Sequence, residues 1–493
     1  MKNLEDLIDK NFWKISLLFI LICSGVVIYF CFIRVSIWYD EAYTIAMVKY
    51  PFADIITITS WDVHPPLYYL LLKFFTNVTG SNSIIAMRIF SYLGIMAAFL
   101  IGLFPIRRLF GKTTALLFIA ALSLMPVNQY MGTEIRMYSW AMFFVLACAV
   151  YAYDCFKNEK PLSYILVTLF AVCGAYTHNY ALIAVGIIYG LLITAYLMTN
   201  RKIIKVIFSL AAFIVLYSPW IPAILGQVGR VKQDYWIGGV TPRDILLYSY
   251  YFFSPKEPSH PYITFSLPPM AIGLSIMLLL IGILFFLIIK KHKKKHLLEN
   301  LFAGDAFVLV YVLTLVSSIF FSILFKPILV ARYTICVLGP LLLGTSIYAS
   351  LMIGSKYKII IMSSLSMLLI FTLARISSET SFYNKQTEYK TQLATFINEE
   401  GSPSYIISTP ESFSLLAEIS IMFPHKKPIV YSPYRYTDYT PFTLGVIKFI
   451  PDSLTFFHVE SLVVGKDSVQ IDRNYLIQTE LSFPRFNIYL KGK

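Results

Sequence analysis

The sequence predicts an all-α polytopic membrane protein carrying a small α/β domain at its C-terminal end. Three observations predict it. The 493-residue chain is 57% hydrophobic and only 14% charged, where a soluble globular chain carries about 25% charged residues; its mean hydropathy is +0.68. The apolar residues come in long runs, as spans across a bilayer require. Beyond residue 375 the sequence turns more polar, with short β-like runs.

Apolar runs recur at about 15–33, 84–107, 113–131, 137–156, 162–178, 180–198, 203–225, 267–290, 302–325, 331–352 and 357–375, so about eleven transmembrane helices are expected. The first run follows a short N-terminus containing Asp and Glu as well as Lys, with no small-residue cleavage site, so it reads as an uncleaved helix and not a signal peptide. With the N-terminus in the cytoplasm, the inner turns carry Arg107-Arg108 and Lys112, Lys157 and Lys160, Arg201, Lys202 and Lys205, Lys290 to Lys295, and Lys356 and Lys358. That is the positive-inside pattern, and it accounts for the net charge of +14 without nucleic-acid binding, for which no motif is present. The apolar stretch Leu67–Phe75 is too short to span. Residues 64–76 are therefore expected as a helix at the outer membrane surface, with Pro65-Pro66 in its first turn and Asp62 as N-cap.

An odd number of spans leaves the C-terminus outside. The expected division is a transmembrane catalytic domain over 1–375, with a first outer loop at 34–83 and a large one at 226–266, and an extracytoplasmic α/β domain over 376–493. Tyr405–Ile407 and Pro428–Tyr431 read as strands, and Ser412–Met422 as a helix between them. The six cysteines lie within or at the ends of apolar runs and form no CxxC pair, so they read as packing residues. There is no Walker motif, no phosphate-binding Gly loop and no fixed-period repeat.

The polar residues that stand out collect on the outer side of this topology. Asp40 and Glu41 follow the first span, where charge beside hydrocarbon is costly and usually kept for function. They suit a general base with a partner that orients it, a helix cap, an ion pair with Arg, or metal ligands. Asp62 and His64 follow. Glu134 and Arg136, with Tyr138, come after the third span and suit either an ion pair or one group for sugar hydroxyls and one for phosphate. His178 is a core hydrogen-bonder or a ligand contact. Gln227 and Trp236 lie in the large loop, Trp236 as a belt aromatic or a sugar-stacking surface. Arg332, followed by Tyr333, opens the tenth span as an interfacial residue or a phosphate clamp.

These residues resemble the GT-C superfamily of integral-membrane glycosyltransferases, in the bacterial branch related to protein O-mannosyltransferases and to the lipid A aminoarabinose transferase. The resemblance rests on Tyr39-Asp40-Glu41-Ala42, on His64-Pro65-Pro66-Leu67-Tyr68-Tyr69 and on Glu134-Ile135-Arg136-Met137-Tyr138, with looser support from Gln227, Tyr235-Trp236-Ile237 and Arg332-Tyr333. It covers residues 1–375. It implies transfer of a monosaccharide from a polyprenyl-phosphate-linked donor to an extracytoplasmic acceptor (protein, lipid or glycan), in a bacterial cytoplasmic (inner) membrane and amid its lipids, with no nucleic acid involved. Asp40 would be the general base of an inverting displacement, with Glu41 or Glu134 orienting it or the sugar hydroxyls. Arg332, then Arg136, would meet the phosphate charge, and His64, at a helix start, would contact phosphate. A divalent ion is left open, with Asp40, Glu41 and His64 as ligands if one binds.

Two other functions fit the topology. A lipid-linked glycan ligase or polymerase shares the carrier chemistry but needs a diphosphate-linked oligosaccharide. A transporter or flippase requires charged or Gly/Pro-broken helices near mid-bilayer and repeat symmetry; here the mid-span positions are almost all apolar.

Overall fold

The computed structural model describes residues 2–34, 37–233, 251–253, 295–353, 358–400, 402–432, 441–442, 444–450, 454–461, 480–482 and 486–491. The expected span at 267–290, and Trp236 with most of the loop at 226–266, lie outside the described residues. The chain forms two compact units: Met1–Cys31 with Thr59–Ile376, and Phe32–Ile58 with Ser377–Lys493. The second unit thus takes in a part of the first loop that the sequence reading gave to the transmembrane domain.

Among the described residues, eight helices are long and apolar enough to cross a membrane. In chain order the helices are α1 (Lys2–Ile33), α2 (Tyr39–Met47), α3 (Phe52–Trp61), α4 (Leu67–Thr79), α5 (Ile84–Ile101), α6 (Arg107–Leu124), α7 (Pro126–Thr133), α8 (Tyr138–Asn158), α9 (Pro161–Ala175), α10 (Asn179–Met198), α11 (Ile204–Tyr217), α12 (Ile221–Gln233), α13 (Lys295–Leu324), α14 (Leu338–Met352) and α15 (Lys358–Ile397). The ends follow local chemistry. Ser83 caps α5 by accepting from the Ala86 amide at 3.2 Å. A π-helical turn with Pro105 joins α5 to α6, and the break between the two expected spans falls at Gly111, whose φ of 87° a side chain would strain. The expected span at 113–131 stops at Leu124, because Pro126 pushes Met125 out of helical geometry. The expected span at 203–225 is interrupted by the 3₁₀ turn Ser218–Trp220, which holds Pro219. The run expected to end at 375 continues as one 40-residue helix to Ile397, with no glycine or proline between Lys358 and Glu400 to stop it.

In the first unit, α5 and α8 lie close enough that a Cβ on Gly94 would fall 2.8 Å from the backbone of Ser139 and Trp140. The contact is sewn by Ser139 Oγ donating to the Ser91 carbonyl at 2.6 Å and Trp140 Nε1 donating to the Phe90 carbonyl at 3.0 Å. This close approach fixes the start of α8, and with it the turn that carries Glu134 and Arg136.

In the second unit, strands β1 (Tyr405–Ser408), β2 (Lys427–Tyr431), β3 (Gly445–Ile447), β4 (Phe456–Ser461), β5 (Glu480–Ser482) and β6 (Phe486–Lys491) form one sheet in the order β3-β2-β1-β4-β6-β5. The first four are parallel, and β6 pairs antiparallel with both β4 and β5. Helix α16 (Phe413–Met422) packs Leu416 and Ile419 with Ile406, Val430, Phe457 and the end of α15 (Leu393, Ile397) into a core. Both expected strands and the expected helix are present.

Candidate active site

Asp62 is not the N-cap of a surface helix. Helix α4 starts after Pro66, itself in helical geometry, without a side-chain cap, and the Asp62 carboxylate accepts instead from His64 Nδ1 at 3.1 Å. His64 Nε2 lies 3.3 Å from Arg136 Nη2. A guanidinium only donates and a carboxylate only accepts, so these partners assign the proton of a neutral His64 to Nδ1. Arg136 also donates to the Tyr69 hydroxyl at 3.2 Å. Burial opposes the charge of Asp62, but the hydrogen bond from His64, the neighbouring positive charge and the Val63 amide outweigh it, and its carboxyl sits below the usual range.

Two backbone-level contacts bring a second histidine to this relay. The Leu67 amide donates to the Tyr176 carbonyl at 2.9 Å, and Asn179 Nδ2 donates to the Val63 carbonyl at 2.9 Å. Between them lies His178, the N-cap of α10, whose Nδ1 accepts from the Tyr180 amide at 3.0 Å. Its proton therefore sits on Nε2. The residue is only 2% exposed, and that nitrogen has no hydrogen-bond partner among the described residues. The ring is 5.9 Å from His64, 5.7 Å from Tyr138, 5.9 Å from Tyr180 and 5.0 Å from Tyr333. Tyr138 and Tyr333 stack at 6.4 Å, and the Arg332 guanidinium lies 5.7 Å from the Tyr333 ring centre. Tyr333 and Arg332 are buried in a 3₁₀ segment, Ala331–Val337, which begins just beyond the point where the Tyr180 hydroxyl binds the Ile328 carbonyl at 2.8 Å.

The first unit thus gathers His64, Arg136, Tyr138, His178, Arg332 and Tyr333. Glu134 is buried two residues before Arg136, and its carbonyl accepts the Arg136 amide at 2.8 Å. Gln227 is buried on α12, its amide donating to the Thr59 carbonyl at 3.1 Å. Burial first, then the charges of His64, Arg136 and Arg332, hold the His178 imidazole well below its usual range. The unfolded chain binds a proton at this histidine near pH 6.5 and the folded chain does not, so stability falls as pH drops below about 6.5. His178→Asn is expected to flatten that acid-side loss, measured as melting temperature between pH 7.5 and 5.

In the second unit, Glu41 is fully buried against Arg34 at 3.2 Å and accepts from the Trp38 amide at 3.4 Å. Asp40 stands partly exposed beside it. Arg34 escaped the sequence reading because an arginine at the end of a span reads as a topology signal. Of the candidate metal ligands, both His64 ring nitrogens are engaged and Glu41 pairs with Arg34, and among the described residues no three His, Cys, Asp or Glu side chains gather as a zinc site requires.

A bundle of apolar helices with this buried histidine–arginine–tyrosine cluster beside its helix ends is the architecture of a multi-pass membrane protein. Residues 63–222 match the family model for dolichyl-phosphate-mannose-protein mannosyltransferase. Among solved structures, the chain is similar to ArnT from Cupriavidus metallidurans in the apo state, with 12% identity, 97% of each chain covered and a TM-score of 0.54. It is equally similar to the same protein bound to undecaprenyl phosphate, again with 12% identity and a TM-score of 0.54, covering 97% of this chain and 98% of that one. No curated protein matches the chain. The GT-C resemblance drawn from Asp40-Glu41, His64-Pro65-Pro66 and Glu134–Tyr138 agrees with both findings.

Proposed function

We propose that the protein is a glycosyltransferase that moves one monosaccharide from a polyprenyl-phosphate donor to an acceptor hydroxyl outside the cytoplasmic membrane, with inversion. The observation that carries this reading is the buried His178 Nε2–H beside Arg136 and Arg332. A donor without a partner among the described residues and two guanidinium groups suit an anionic oxygen. The similarity to a fold solved with undecaprenyl phosphate supports the same ligand class. Under this reading Asp40 removes the acceptor proton as that oxygen attacks the anomeric carbon. The bond from that carbon to the phosphate oxygen breaks, and polyprenyl phosphate leaves with the electron pair. Arg332 and Arg136 meet the growing phosphate charge, and His178 donates from a neutral ring whose protonation state stays fixed near neutral pH. Glu41, committed to Arg34, orients the loop rather than the sugar.

Binding of undecaprenyl phosphate to the purified protein tests the first half. Arg332→Ala is expected to weaken it more than Arg332→Lys, and His178→Phe to weaken it about tenfold, the effect of one charge-assisted hydrogen bond. Wild-type affinity in Arg332→Ala and His178→Phe would remove the cluster from the phosphate site. Mass spectrometry of lipid-linked sugars that accumulate in a deletion strain identifies the donor. A reporter fused at residue 294 is expected in the cytoplasm and one at 480 outside it, as the basic inner turns require.

A further inference from the structure

In a doubly wound parallel sheet, the crevice at the carboxyl ends of the strands, where the strand order reverses, is the usual ligand site. In the second unit β1 lies between β2 and β4, all parallel, so the order reverses at β1. The chain leaving β1 enters α16 at Phe413, and the chain leaving β2 passes through Pro441 and Phe442. Phe413, Pro441 and Phe442 meet α2 and the turn after it. The Tyr39 ring meets Phe413 edge-on at 5.5 Å and Phe442 at 5.8 Å. Tyr43 meets Phe442 edge-on at 6.2 Å, and the Tyr50 hydroxyl donates to the Pro441 carbonyl at 3.1 Å. On the other side of Asp40, Glu41 is held by Arg34 and the Trp38 amide. The residues before and after Asp40 are therefore both fixed, while Asp40 itself keeps partial exposure.

We propose that the α/β unit is the seat that sets the position of Asp40, with Tyr39, Phe413 and Phe442 as its positioning residues. The proposal rests on Asp40 being the general base. A base works only within hydrogen-bond reach of the proton it takes, and a displacement of about 1 Å costs on the order of 100-fold. Loosening the aromatic seat should therefore slow the chemical step and spare donor capture.

The test uses the full-length protein in nanodiscs and the lipid-linked sugar isolated from the deletion strain. Phe413→Ala and Phe442→Ala are expected to lower kcat about 10- to 100-fold, with KM for the donor and affinity for undecaprenyl phosphate within about twofold of wild type. Phe413→Leu and Phe442→Tyr are expected to keep most of kcat, and hydrogen exchange of the amides in 39–47 is expected to quicken in the Ala variants only. Unchanged exchange overturns the seat. Faster exchange with unchanged kcat, or a rise confined to KM, overturns its role in the reaction. Should the Ala variants fail to accumulate, Tyr50→Phe removes one hydrogen bond and must quicken exchange near residue 50; no change there overturns the seat equally. Normal turnover by Asp40→Asn overturns the base assignment itself, and it does so whatever the exchange measurements give.

Discussion

Asp40→Asn is expected to reduce sugar transfer by about 10²- to 10⁴-fold, the usual contribution of a general base, with melting temperature and undecaprenyl phosphate affinity unchanged. The substitution keeps the size of the side chain and its capacity to accept a hydrogen bond, and removes only its ability to take a proton. Asp40 is partly exposed, and its neighbour Glu41 carries the buried ion pair. Loss of the Asp40 charge therefore leaves the Arg34–Glu41 pair intact. Product appearing at the wild-type rate would sink the assignment, and loss of donor affinity would move Asp40 into binding.

The second large effect concerns stability. Arg34 and Glu41 are 1% and 0% exposed, at 3.2 Å. Breaking a buried ion pair by removing one partner costs about 3–5 kcal/mol, because the remaining charge stays buried without it. Arg34→Met is expected to lower stability by that amount, and Glu41→Gln by less, since the amide still accepts from the Trp38 N–H. The double variant Arg34→Met/Glu41→Gln is expected to recover most of the loss, because neither charge then remains buried. Thermal melts of the three variants check this: additive losses in the double variant would show that the two residues are not coupled. Transfer should fall in all three, as the loop holding Asp40 loosens.

The fold was legible where the physics is local and repetitive. A span needs some twenty apolar residues in a row, and that pattern survives any packing arrangement. The strand–helix–strand pattern of residues 405–431 is equally local. Boundaries were less legible: the stop at Leu124 depends on one proline two residues later, and helix α15 runs past the end of its apolar run because nothing breaks it. Within the candidate site, His64, Arg136, His178 and Tyr333 were singled out as polar or aromatic groups at span ends, and the structure gathers them. The partner choices were not legible. Asp62 caps nothing and binds His64, Glu41 takes an arginine seven residues back, and Tyr39 finds Phe413 and Phe442. Pairing between distant segments leaves no periodic trace in a single sequence.

The distance along the chain between α2 and its seat also bears on biogenesis. Tyr50 and Pro441 are 391 residues apart. At synthesis rates of about 5–20 residues per second, the first loop emerges on the order of tens of seconds before its docking partners exist. A nascent chain at that stage has Glu41 paired with Arg34 but lacks the Phe413, Phe442 and Pro441 contacts that seat Tyr39, Tyr43 and Tyr50. Seating of α2 can then follow only once residues 413–442 have been made.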